Sequence, residues 1–220
     1  MAAPQVITIE NLNGHWVLNK DLSSEADPVL KLQKVPWLLR KAFKFATIYI
    51  QVTQYETPSE TTQPSTNIDF LQTATAGLAE TKEERVLDWK ISDHEDYFFG
   101  QVHAQSELVH GVTDTDGIAR PGFELKTANA NREIEKYLRG EVEADGRKSG
   151  GFIVEDSMAE GGLWVHTFER NDKSGWTAEQ IWGFEMFGGE RYFSRRVVVM
   201  TTKGEYMCGR IVFDFVKHRD

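Results

Sequence analysis

Residues 14–18, Gly-His-Trp-Val-Leu, alternate in the two-residue period of a strand with one buried face. Asp27-Pro28 then reads as a helix start, with Asp27 as the cap and Pro28 in the first turn, where its missing N–H costs nothing. Pro36 restarts the helix, and Leu38, Leu39, Ala42, Phe43 and Ala46 recur at helical spacing opposite Arg40, Lys41 and Lys44. Beyond that point the segments 48–55, 67–73, 85–91, 97–109, 162–169, 176–187, 191–201 and 206–216 are rich in branched and aromatic residues and read as strands. Gly188-Gly189 and Lys203-Gly204 supply hairpin turns between the last three, which makes them antiparallel neighbours. A strand, two short helices and then strands alone predict an all-β fold: a closed antiparallel up-and-down barrel with residues 27–46 as a two-helix lid. The loop 57–66 is exposed by composition, and 128–151 is a polar insertion holding one short extra helix, since Ile134, Tyr137 and Leu138 share a face.

With 220 residues and 40% apolar content, the chain can build a single domain around one core or one cavity. A net charge of −9 argues against nucleic acid as a partner, with the basic lid as a local exception. The lone Cys208 excludes an internal disulfide, and within an apolar strand it reads as a small buried filler. The N-terminus lacks a secretory layout and no apolar run nears the roughly 20 residues of a membrane span, so a cytoplasmic protein without stable membrane insertion is expected. Glycine-rich nucleotide loops, a serine-nucleophile elbow and a His-Glu-x-x-His pair are all missing, and the spacing of His94, His103 and His110 fits no common metal template. Neither a cofactor nor a metal is expected.

What remains is a set of polar residues on strands. Tyr97, Gln101, His103, Gln105 and Glu107 share one face of 97–109, opposite Phe98, Val102, Ala104 and Leu108, and either face can line the interior. If the polar face does, His103 is the best general base, because imidazole titrates near neutrality. Tyr192, Ser194, Arg196, Val198 and Met200 form one face of the next-to-last strand, and Tyr206, Cys208, Arg210 and Val212 one face of the last. A guanidinium inside a barrel requires an acidic partner, such as Asp69, Asp88 or Glu185, or an anionic ligand. Trp176, Gln180, Trp182, Phe184 and Met186 make an aromatic face with one amide, suited to a flat small molecule and equally to core packing. Trp16, Trp37, Gln101, Gln180, Trp182 and Arg196 are the expected ligand-binding set.

Gly14-His15-Trp16, Arg40-Lys41 and Cys208-Gly209-Arg210-Ile211-Val212 resemble the opening strand, lid dipeptide and closing strand of the intracellular fatty-acid-binding proteins, within the wider lipocalin (calycin) group. That resemblance implies an inward Arg210 gripping a ligand anion, although Val212 stands where the family has its carboxylate-binding tyrosine. The stretches GHWVLNK, DFLQTATAG, RVLDW, SGWTAEQIWGFE and RRVVV are similar to lipocalin-like proteins of filamentous fungi, some of which serve secondary metabolism as cofactor-free cyclases, isomerases or Diels–Alder catalysts. The resemblance implies a cofactor-free isomerase or cyclase acting on a hydrophobic aromatic or polyketide-derived molecule, for example closing a chalcone to a flavanone. His103, Tyr192 and Arg210 would then move a proton or steady an oxyanion. A non-catalytic carrier of a hydrophobic ligand is the alternative, and a filled scaffold that binds nothing is the third.

Overall fold

The computed structural model describes residues 1–58, 64–75, 80–129, 131–155 and 161–218. β1 (Gly14–Leu18) leads into α1 (Ala26–Leu32) and α2 (Trp37–Phe45), followed by β2 (Ile48–Thr57), β3 (Ser65–Ala74), β4 (Thr81–Val86), β5 (Ser92–Asp96), β6 (Gly100–Thr113) and β7 (Ala119–Pro121). The chain continues through α3 (Arg132–Leu138), β8 (Leu163–Asn171), β9 (Trp176–Phe187), β10 (Glu190–Thr201) and β11 (Tyr206–Lys217). All pairings are antiparallel, and the order β4-β3-β2-β1-β11-β10-β9-β8-β6-β5, with β7 attached to β6, forms one curled 11-stranded sheet. The expected barrel, helical lid and extra helix are therefore present. Part of the expected loop 57–66 lies outside the described residues.

Local chemistry shifts several boundaries. The strand expected over 85–91 ends at Val86 and the chain resumes as β5 at Ser92. Asp96 then accepts the N–H groups of Phe98 and Phe99 at 2.6 and 3.0 Å, which makes 97–99 a turn and delays β6 to Gly100. Glu25, not Asp27, occupies the cap position of α1, without a side-chain bond; Asp27 lies in the first turn and pairs with Arg40 at 3.0 Å.

Among the described residues, the terminal strands β4 and β5 share no ladder. The ring closes instead through an isolated Asp88–Glu107 bridge and the Trp89 N–H donated to the Ser106 carbonyl at 2.8 Å. This leaves a seam in the wall. One end of the barrel is plugged by the N-terminal segment, whose Ile7, Ile9 and Leu12 are buried with Trp16 and Phe184. Over the other end lies α1, with Val29 and Leu32 against Trp176, Val197 and Val199. A third element of the architecture is an outer layer built from the insertion: Ile134, Tyr137, Leu138 and Phe152 are buried against the outward Trp164, Ile181 and Val198. Each such large apolar side chain contributes roughly 1.5–3 kcal/mol on burial. No described helix is long and apolar enough to cross a membrane.

Candidate functional site

Strand register decides which side chains see the interior. Ala104 pairs with Glu169, Glu169 with Ala178, and Arg195 with Trp182, which puts Val102, Ala104 and Ser106 of β6 on the same side of the sheet as Trp182, Phe193 and Arg195. Gln101 and His103 consequently point outward, which corrects the polar-face reading of β6. His103 lies on the outer surface with Nδ1 2.5 Å from Asp93 and Nε2 3.5 Å from Asp172. The physical reason is burial: Val102 and Ala104 are 1% and 4% exposed, so the interior takes the small apolar face and leaves the hydrophilic one outside.

The expected arginines are outward too. Arg196 and Arg210 face each other across β10 and β11 beneath the outer layer. Arg196 donates to Glu185 at 2.7 Å, to the Tyr137 and Val142 carbonyls at 3.0 and 2.7 Å, and to Ser149 at 2.6 Å. Arg210 pairs with Glu143 at 2.8 Å and Glu185 at 3.1 Å. Glu185 thus supplies the internal charge that a buried guanidinium demands, but outside the barrel. Tyr192 shares this face and donates its hydroxyl to Glu190 at 2.8 Å. Trp37 is 62% exposed on the lid. Of the expected site residues, the interior holds Trp16, Gln180 and Trp182: the Trp16 indole donates to the Leu12 carbonyl at 3.1 Å, and the Trp182 indole to Gln180 at 3.1 Å. Burial pushes the Cys208 thiol up to about 11, in keeping with an inert filler.

Among the interior polar groups that the sequence reading missed is Arg195. Its guanidinium lies 3.9 Å from the Trp182 ring centroid, 4.7 Å from Phe70 and 5.3 Å from Phe213. Nε and Nη2 are buried without a hydrogen-bond partner, and Arg195 makes no ion pair among the described residues. Burial, reinforced by the like charge of Arg85 and opposed at a distance by Glu83 and Glu169, pulls Arg195 down to about 9, which leaves it cationic at neutral pH. Arg85, 5.4 Å from the same indole, contrasts with it, because Arg85 is held by Glu83, Glu169 and Ser106.

Arg195 lines a cavity of about 60 Å³ in the seam between β4 and β5. Thr81, Lys82 and Glu83 form one edge, His94, Glu95 and Asp96 the other, and Phe70 contributes to the wall. His94 Nε2 stands 4.0 Å from Glu83, whose carboxylate is also paired with Arg85. Burial raises the Asp96 carboxyl above its ordinary value, against the pull of its two amide donors. A fixed cation, an imidazole and carboxyls beside an aromatic wall can orient a carbonyl, stabilise an oxyanion and relay a proton. No three His, Cys, Asp or Glu side chains among the described residues are grouped to hold a metal. The signal for Arg195 was the Arg195-Arg196 dipeptide itself: in a strand, adjacent residues face opposite sides, so one guanidinium had to enter the barrel.

No family model matches the chain. It is 28% identical over 218 residues to the probable pericyclase scpY of Mollisia scopiformis, covering 98% of this chain and 95% of that protein. To pericyclase pydY of an Acremonium species it is 25% identical over 220 residues, covering 100% and 99%. Among solved structures it is similar to the Schistosoma mansoni fatty acid binding protein in complex with arachidonic acid, with TM-score 0.46, 10% identity and 93% and 95% of the two chains covered. As-p18, an extracellular fatty acid binding protein, matches with TM-score 0.44, 11% identity and coverage of 93% and 95%.

Proposed function

We propose that the protein is a cofactor-independent isomerase or cyclase for a hydrophobic small molecule, in which Arg195 binds the carbonyl oxygen of the substrate. The observation that carries this reading is the unpaired Arg195 guanidinium, walled by aromatic rings and facing a cavity at the seam. A pericyclic closure whose reacting π system carries a conjugated carbonyl and a conjugate addition to an enone both gain from withdrawal of electron density through that carbonyl, and a desolvated cation supplies it. The two pericyclase relatives, each matched over nearly their whole length, favour the pericyclic member of this class. The chalcone member uses the same cation. A base deprotonates the phenol, the phenolate oxygen adds to the β-carbon of the enone, Arg195 holds the enolate oxygen, and the proton returns to the α-carbon. Here His94, backed by Glu83, takes the role first given to His103. A cavity of 60 Å³ admits the carbonyl head alone. The body of the substrate lies along the seam between β4 and β5, where the aromatic wall and orientation do the remaining work.

The test is turnover without added metal or cofactor, using 2′-hydroxychalcone and a triene carrying a conjugated ketone, followed by loss of absorbance. At least one should close faster than in buffer. Arg195→Met should slow that reaction by about 10²–10³-fold, as loss of an oxyanion donor does. His94→Ala should slow the chalcone reaction alone. A carrier is the second reading, because an unpaired guanidinium also suits a carboxylate. Tryptophan quenching by a long-chain carboxylate that depends on Arg195, with no acceleration of either closure, would establish it.

A further inference from the structure

A groove lies at the lid, between α1 and the turns that join β8 to β9 and β10 to β11. The groove has a volume of about 510 Å³, within the roughly 300–1,000 Å³ range of small-molecule sites. Pro28, Leu32 and Met207 give it apolar walls, and Lys31, Lys34 and Lys203 stand around it with Glu205 as the opposing charge. In a chain of net charge −9, this rim is cationic. None of the three lysines is ion-paired among the described residues, a state that Lys41, Lys44, Lys148 and Lys173 share and that Lys82, Lys90, Lys126 and Lys136 do not. Lys34 is also held in an uncommon backbone state. Its φ is +63°, at the position after α1 where helices usually end on glycine. The Lys34 N–H donates to the Lys31 carbonyl at 3.0 Å and the Val35 N–H to the Leu30 carbonyl at 2.9 Å, the bonding pattern of a glycine-terminated helix. A lysine there is unfavourable for the backbone and places a cation at the groove. Opposite it, Gly175 at φ +69° keeps the turn between β8 and β9 thin, since a Cβ would come within 3.3 Å of Thr202.

We propose that this groove binds an amphipathic organic anion, its flat apolar body against Pro28, Leu32 and Met207 and its carboxylate among the lysines. The site is independent of the Arg195 cavity. Isothermal titration of the full chain with 2-naphthoate, 2-naphthalenemethanol and acetate tests it. The naphthoate should bind, the neutral alcohol about tenfold more weakly, and acetate without measurable heat. Lys34→Gly and Lys203→Met should each weaken naphthoate about tenfold, as loss of one charge-assisted contact does. Lys34→Gly should at the same time raise the melting temperature of the free protein, which separates lost binding from lost folding. Arg195→Met should leave the affinity unchanged. Absence of naphthoate binding, equal binding of alcohol and carboxylate, or affinity that responds to Arg195 and not to the lysines would each overturn the proposal.

Discussion

On the outer face of β10 the Arg196 guanidinium meets Glu185, two backbone carbonyls and Ser149, whereas one residue earlier, on the inner face, Arg195 meets aromatic rings and a cavity. Both side chains are withdrawn from water, so both incur desolvation. The outer one recovers it through a closed network that ties the insertion to the barrel. The inner one has no such network among the described residues. The saturated guanidinium ties the insertion to the barrel, and the unsaturated one beside the cavity is the group to which the proposed function assigns the substrate carbonyl.

The strongest way to break this contrast is Arg196→Met. It strands Glu185 beneath the outer layer, with Arg210 as its remaining cation, and should destabilise the protein by about 3–5 kcal/mol in urea denaturation. Gly183→Ala probes how tightly the same layer is seated. An added Cβ would stand 2.6 Å from Trp164 and 2.7 Å from Phe152, both ring carbons, so a loss of about 1–3 kcal/mol is expected. Wild-type stability after that change would mean the layer can lift off the barrel.

The smallest effect separates the regions by pH. Despite partial burial, hydrogen bonds from Arg210 and Ser149 hold the outer Glu143 carboxyl below its ordinary 4.5. Burial raises the inner Asp96 carboxyl above its ordinary 3.8. Glu143 therefore stabilises the fold above pH 4.5, a contribution lost as pH falls through its lower folded value. Asp96 has the opposite sign: between its ordinary 3.8 and its higher folded value the native state binds more protons than the unfolded one, so acidification through that interval stabilises. Stability against pH for Glu143→Gln and Asp96→Asn should change slope in opposite directions.

The lid and the last three strands were legible because prolines, glycine turns and apolar periodicity act locally. β6 was not. Its chemically suggestive residues, Gln101, His103, Gln105 and Glu107, are those a barrel can leave outside, while the bland Val102, Ala104 and Ser106 line the interior, and no local signal fixes that parity. The same ambiguity hid Arg195 behind Arg196. The outer layer was harder still to foresee: Ile134, Tyr137 and Leu138 read as one helical face, but their partners Trp164 and Val198 lie far along the chain, so nothing local said that this face, at most 2% exposed, is buried against the outside of the barrel. His94 and Glu83 meet only because the sheet curls its two end strands toward each other.

The most direct test of the account is the unfolding free energy of ligand-free Arg195→Met, measured in urea beside the wild type. Methionine fills similar volume among Trp182, Phe70 and Phe213 without a charge to desolvate, so the variant should be as stable as the wild type or more so. A loss of several kcal/mol, like that expected for Arg196→Met, would show that Arg195 is retained for the fold and would contradict its assignment to the site.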